Sequence, residues 1–346
     1  MTIKLEIPYG ISLILLISNV LLPFTGIYAQ HLDTNDLKPS KIDTNYIKDY
    51  KDLLTARIYL LYQDESYLLF PGNSNEIIYT PNVSGRIGIA GFYKWFGLGL
   101  SLGSSAFRRS DDTYGHTSVI DWRINAYGNA VAAELFMQSL KGFYIQDYKD
   151  PMGNLYKEPD MKVFSLGLNA YWIYNHERFS IRAAFIQNER QIKSAGSLMI
   201  RPSIMYFNLS SDNGIVPAEL AETQSIPKDL LVKNGDYYSL GLAPGYAYTF
   251  VFLRKAYLSA AVFPGVLWQT FTYNTEEGSS SSTNFSFNFS FRAAAGYNSD
   301  SWYIGAGIVR GVNKVPGWIG NARFYYDLAQ FRVWGGTRFD WFRKKK

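Results

Sequence analysis

Residues 284–292 read NFSFNFSFR: Phe285, Phe287, Phe289 and Phe291 alternate with Ser286, Asn288, Ser290 and Arg292. A strand turns successive side chains to opposite faces, so this segment carries a wall of phenylalanine backed by a wall of polar groups. The same period of two runs through 83–95, 96–103, 119–127, 163–174, 179–185, 318–328 and 331–342. Further segments of this kind lie near 54–62, 131–146, 197–209, 237–250, 257–273 and 301–311. Helical periodicity is weak, and adjacent β-branched and aromatic residues favour strands. The polar residues between segments, as in YNHERF and YNSDSW, suit hairpins.

A soluble sandwich also alternates, so the medium facing the apolar wall has to be decided separately. No stretch approaches about 18 unbroken apolar residues, which excludes a spanning helix and leaves a closed barrel as the only membrane-spanning option. Three features favour that barrel. Aromatic rings gather near strand ends, at Tyr93 and Trp95, Trp172 and Tyr174, Trp302 and Tyr303, and Trp341 and Phe342. The faces opposite the apolar ones are rich in Gly, Ser, Asn and Arg, small enough to let a wall curve and polar enough for a lumen. The third feature is at the N-terminus, where Lys4 precedes an interrupted apolar run from Ile11 to Phe24, followed by TGIYAQ. This reads as a secretory leader cut near Ala29.

The expectation is therefore all-β: a transmembrane antiparallel β-barrel of about 12–14 strands in the cell outer membrane. Residues 1–29 are the signal peptide, 30–53 a polar periplasmic tail, and 54–346 the barrel. The final strand ends on an aromatic, which fits recognition by barrel-assembly machinery, although Arg343 and three lysines follow. Long connections are expected at 147–160, 210–235 and 274–283. Counting strands from Leu54 places the 210–235 connection on the side of the short turns, against the usual pattern.

With no cysteine, thiol nucleophiles, disulfides and thiolate metal sites are excluded. The balance of 34 basic and 29 acidic residues is too mild and scattered to imply nucleic acid. No metal or cofactor motif is present: Asp111–Asp112 and Glu276–Glu277 read as solvated loop pairs, and GLGLSLG is strand. His31 and His176 read as surface residues. His116 and Ser118 are weak catalytic candidates, because residues two apart on a strand share a face and a histidine there could activate a serine; Asn125 or Asn129 would be the third member. The surrounding DDTYGHTS reads as a loop, so the chain is taken as a non-enzyme, with a lipid hydrolase as the lesser alternative.

Alternation assigns Arg86, Arg123, Arg182, Arg292, Arg323, Arg332 and Arg338 to the lumen, with Asp121, Glu134, Asp327 and Asp340. The excess of arginine points to a channel or transporter-like passage for small anionic or amphiphilic solutes. The alternative is a plugged structural or assembly barrel whose charges hold the wall together. Outer-membrane lipid is the expected surrounding partner.

The blocks DTNYIKDYKDLLTARIYL (43–60), YKWFGLGL (93–100), KGFYIQD (141–147), NERQIKSAGS (188–197) and GYAYTFVF (245–252) resemble, in order, those of domain of unknown function 4421. That is an uncharacterised outer-membrane barrel family of Bacteroidetes-type bacteria. The resemblance implies an outer-membrane-type barrel and no activity.

Overall fold

The computed structural model of the 346-residue chain describes residues 42–70, 76–212, 214–223, 231–275, 278–319 and 322–341. For residue 70 and residues 312–328 the side chains are not among those described. The expected leader, the first part of the tail (30–41), Glu276–Glu277 and the basic run from Arg343 to Lys346 lie outside the described residues.

In chain order the elements are β1 (Ile47–Asp49), β2 (Leu54–Phe70), β3 (Ile77–Thr80), β4 (Gly85–Tyr93), β5 (Phe96–Gly103), α1 (Asp111–Tyr114), β6 (Ser118–Tyr127), β7 (Val131–Lys149) and β8 (Leu155–Ile173). Then come α2 (Ile181–Phe185), β9 (Glu189–Gln191), β10 (Ala195–Ser210), α3 (Ala218–Thr223), β11 (Asn234–Phe252), β12 (Ala256–Asn274), β13 (Ser279–Asn298), β14 (Trp302–Ile319) and β15 (Ala322–Phe339). Thirteen strands form one antiparallel sheet, and β15 pairs back onto β2 from Phe339↔Leu54 to Arg323↔Phe70, closing it into a ring. β3 is a four-residue insert bridging tall β2 and β7 beyond the ends of the short strands β4, β5 and β6. Setting β3 aside from the thirteen leaves twelve wall strands, an even number as expected for such barrels.

Alternation and register agree around the ring. Phe285 and Phe287 are 78% and 87% exposed while Ser290 on the opposite face is buried, so the phenylalanine wall faces outward. Ile58, Leu60, Ile89, Leu98, Leu240 and Leu258 continue this apolar exterior. Trp95, Trp172, Tyr174 and Trp302 border it at one end, and Tyr62, Tyr238 and Trp268 towards the other. In water such a belt would be untenable; in a bilayer it is the lipid-facing surface with its aromatic girdles. No helix among the described residues is long and apolar enough to cross a membrane. The wall is an outer-membrane-type β-barrel.

Three expectations change. Residues 179–185 are not a strand: Ser180 accepts a hydrogen bond from the Ala183 amide at 3.0 Å and caps α2, whose first four residues are buried inside the barrel. Removing that strand shifts the parity of everything after it, so 211–233 falls at the end of the long loops and the topological conflict disappears. The connections at 147–160 and 274–283 are largely strand, since β7–β8 and β12–β13 run on beyond the apolar belt as paired extensions. Residues 42–53, expected to end a polar tail, are built into the barrel. Ile47 and Tyr50 are buried, and β1 pairs with β9 from Ile47↔Gln191 to Asp49↔Glu189.

β7 carries a register shift between Lys141 and Phe143. Gly142 sits there at φ 90°, and a Cβ would lie 2.0 Å from the His116 carbonyl oxygen. The shift changes which parity points inward: Leu140 is buried below it and Phe143 and Ile145 above it, so the inner face stays apolar.

Candidate functional site

Two closures bound the lumen. At the short-turn end, residues 42–53 and 174–194 form a plug tied to the wall by hydrogen bonds. Arg57 on β2 donates to the Phe185 and Ile186 carbonyls at 2.9 and 2.8 Å and to the Gln187 side chain. Tyr257 on β12 donates to the Ala184 carbonyl at 2.9 Å. Arg182 of the plug donates to the Lys94 carbonyl in the β4–β5 turn at 2.6 Å. Arg338 on β15 donates through Nε to the Gln187 carbonyl at 2.7 Å. In the β13–β14 turn, Asp300 accepts from Lys48 and Tyr50 at 2.6 Å each and from Arg190 at 3.2 Å. The hydrogen bonds from Lys48 and Tyr50, with the charge of Arg190, hold the Asp300 carboxyl well below the usual carboxylate range. Burial, then the bond to Asp300, pushes the Tyr50 phenol up.

At the loop end an apolar cluster fills the barrel. Tyr67, Phe143, Phe207, Tyr237 and Phe271 from the wall pack with Ile215, Val216 and Leu220 from the β10–β11 connection. Tyr79 donates to the Ile215 carbonyl at 2.6 Å and fixes that connection to β3.

Between these closures lies a cavity of about 260 Å³. Arg57, Arg123, Arg201, Arg292 and Arg332 line it, against Glu134 as the one lining carboxylate among the described residues. Glu134 is fully engaged: Arg292 reaches it from across the lumen at 2.7 and 3.1 Å, and Tyr127 and Tyr171 donate at 2.5 and 3.0 Å. Asp121, at the chamber edge, takes Arg123 at 3.0 Å and Arg86 at 3.2 Å. Arg86 also reaches Glu65 at 3.2 Å, and Glu65 accepts from Tyr67, Gln63 and Gln138. Three of the lining arginines lack a carboxylate: Arg57, bonded to the plug, and the two that follow. Arg201 donates to Ser290 at 2.5 Å and lies over the Phe263 ring, and Arg332 lies over the Tyr59 ring at 4.8 Å. Four donors of chamber-lining residues, Arg57 Nε, Arg201 Nε, Arg292 Nε and Trp334 Nε1, are buried with no hydrogen-bond partner in the protein. A buried donor without an acceptor costs about 1–3 kcal/mol, so the four donors, beside the equally unpaired Asn288 Oδ1, call for polar atoms from water or a solute in the chamber.

Of the residues assigned to the lumen from sequence, Arg123, Glu134, Arg292 and Arg332 meet in the chamber. Arg86 and Asp121 are buried beside it, and Arg338 is buried against the plug. Arg182 is inside the barrel but on α2, paired with Glu189 at 3.1 Å, so it belongs to the plug and not to the wall. Arg323 and Asp327 stand in β15 opposite Phe70 and Ser66, and their side chains lie outside those described. Asp340 is exposed beyond the end of β15, because the strand stops at Phe339 before alternation could turn it inward.

His116 and Ser118 are not brought together. His116 Nδ1 lies 2.9 Å from Asp111 Oδ2 and 3.0 Å from Arg108 Nη1, while Ser118 is exposed at the start of β6. Asn125 lines the chamber and Asn129 lies in the turn beyond β6, both away from His116. No group of three or more metal-ligating side chains is found among the described residues.

Arg57 and Arg201 were missed because their segments were recognised without a register, and Glu65 because the segment read as ending near 62 runs on to Phe70. The signal was there: Arg57 alternates with Ile58 and Leu60, which are exposed, and Arg201 follows exposed Ile200.

Among solved structures the chain is similar to the outer-membrane protease OmpT of Escherichia coli (10% identity, 83% of this chain and 96% of that one, TM-score 0.32). It is similar to the toluene transporter TodX of P. putida (8%, 85% and 91%, TM-score 0.32) and to the β domain of the Bordetella autotransporter BrkA (11%, 83% and 99%, TM-score 0.34). Scores of this size carry nothing about chemistry. No curated protein sequence matches the chain. A family model does match, over residues 41–315, and on that match the chain belongs to the family described as Domain of unknown function (DUF4421).

Proposed function

We propose that this barrel, exported by a leader cut near Ala29 and seated in outer-membrane lipid, is a gated passage for small anionic or amphiphilic solutes. The plug is the gate, and the arginine-lined chamber is where a solute pauses. The observation that carries this reading is the chamber itself: five arginines and one carboxylate line a space between the plug and the apolar cluster of the loop end. In such surroundings charge is poorly screened, so an anion is strongly favoured and a cation excluded. Hydrogen bonds and ion pairs tie the plug to the wall and can be exchanged for water, while Phe179, Ile181 and Ile186 of the plug pack in one apolar cluster with Phe92, Tyr171 and Phe263 of the wall, a surface that opening must expose.

A second reading is a permanently closed structural barrel. It is favoured by the Glu134–Arg292 tie across the lumen and the buried Arg86–Glu65–Asp121 group, which brace the ring whether or not anything passes. Conductance of the folded mature chain in a planar bilayer under a salt gradient separates the two. Anion-selective gating events support the passage. A silent membrane, for wild type and for a plug-loosened variant alike, refutes it and leaves the structural barrel. We read the protein as a non-enzyme, and lipid hydrolysis abolished by His116→Ala would overturn this.

A further inference from the structure

We propose that the chamber is a binding site for an amphiphilic organic anion with a single carboxylate head and a compact apolar body, oriented head towards the plug. The proposal rests on the chamber reading above and adds the ligand class and its polarity.

The chamber is not uniform along the barrel axis. On β10 the inward residues climb from Arg201 through Ser203 and Met205 to Phe207 at the loop end. Tyr237 on β11 pairs with Phe207 and with Phe271 on β12, so these rings share the upper level. Arg292 on β13 pairs with Val309 on one side and Ala261 on the other, well below Leu267 and Phe271 along β12. Arg57 lies lower still, bonded to the plug. The cations therefore gather in the plug-side half, and Met205, Phe207, Tyr237, Leu267 and Phe271 form an apolar roof. Inorganic phosphate would satisfy the donors and leave the roof unused. A neutral hydrocarbon would fill the roof and leave Arg201 Nε and Trp334 Nε1 without acceptors. Only a molecule with both parts uses both halves. At an interior packing density of about 0.74, the cavity takes a molecule of about 190 Å³, on the order of a dozen non-hydrogen atoms. That is the size of a two-ring aromatic acid or a medium-chain fatty acid.

Equilibrium binding of 2-naphthoate to the barrel in lipid nanodiscs tests this, with 2-naphthylmethanol as the neutral analogue and inorganic phosphate as the bare anion. The expected result is saturable one-to-one binding of naphthoate, with the alcohol and phosphate much weaker. Arg201→Gln and Arg332→Gln should each weaken it about ten- to hundredfold, the range for losing a hydrogen bond to a charged partner. Arg201→Lys should retain part of the affinity. Because the chamber lies behind the plug, the same titration is run on Asp300→Asn, which removes the charge that Lys48 and Arg190 of the plug meet. Absence of saturable naphthoate binding in both wild type and Asp300→Asn overturns the proposal. Phosphate binding as tightly as naphthoate, or naphthoate binding indifferent to both arginine substitutions, also overturns it. A barrel that binds naphthoate yet never conducts refutes the passage and leaves this site standing.

Discussion

If the plug is a gate, weakening one of its bonds to the wall must raise the frequency of open events by a calculable amount. Arg338 is the place to do it. It is buried on β15 and donates through Nε and Nη2 to the Gln187 carbonyl of the plug. Its guanidinium also lies over the Tyr50 ring at 4.2 Å. Glutamine can reproduce neither contact. The charge-assisted bond is worth about 1.5–3 kcal/mol and the cation–ring contact about 0.5–1 kcal/mol, so Arg338→Gln weakens plug docking by about 2–4 kcal/mol. That multiplies the undocked population some thirty- to several-hundredfold. Arg338 also donates to the Ser299 carbonyl at 2.6 Å within the wall, so part of the loss falls on barrel stability. The unfolding midpoint of the variant in the same lipid measures that part separately. The assay is the frequency of single-channel openings in a planar bilayer. A folded Arg338→Gln barrel whose opening frequency stays within threefold of wild type refutes the gate.

Glu134→Gln leaves Arg292 buried without its counter-charge and should cost about 3–5 kcal/mol in urea unfolding from vesicles, with Glu134→Gln/Arg292→Gln recovering part of it. Val262→Lys, on the outer face near the middle of the belt, should cost about 2–4 kcal/mol in the same measurement, and near-neutrality would mean that this face does not meet hydrocarbon. The Asp300 latch should not respond to mild acid. A carboxyl whose folded value is depressed adds stability above its unfolded value, about 3.9, and loses it only as pH falls through the lower folded value. Burial pushes the Glu189 carboxyl of the plug up, so a step in opening frequency between about pH 8 and about pH 4.5 should vanish in Glu189→Gln, and a step that persists there would mean that Asp300 does not hold the latch.

The wall was legible because lipid and lumen impose opposite demands on neighbouring residues, and Ile58, Leu60 and Leu98 against Arg57, Tyr59 and Gly99 record both. The plug was not. Phe179, Ile181, Ala183 and Phe185 alternate as a strand would, yet α2 is enclosed on all sides, so an apolar residue suits every direction and the period carries no information. The one local signal was Ser180 three residues ahead of Ala183, a helix cap too short-ranged to outweigh the pattern. The chamber was half legible. Alternation found Arg123, Arg292 and Arg332, but pairing alone shows that Glu134 answers Arg292 from the far wall, 158 positions away in sequence. Asp340 went wrong for the opposite reason, since alternation does not say where a strand ends.

The position of Arg338 has a consequence for how the molecule is made. It sits near the end of the last strand, its partner Gln187 lies in the middle of the chain, and Tyr50 lies between β1 and β2, ahead of the first wall strand. These three meet only when β15 has found β2. Until then the sheet has an open edge, and the part of the docking free energy that Arg338 supplies is withheld from every unfinished form. Sealing the seam and fastening the plug are therefore coupled through Arg338, and the last plug bonds form as the barrel becomes complete.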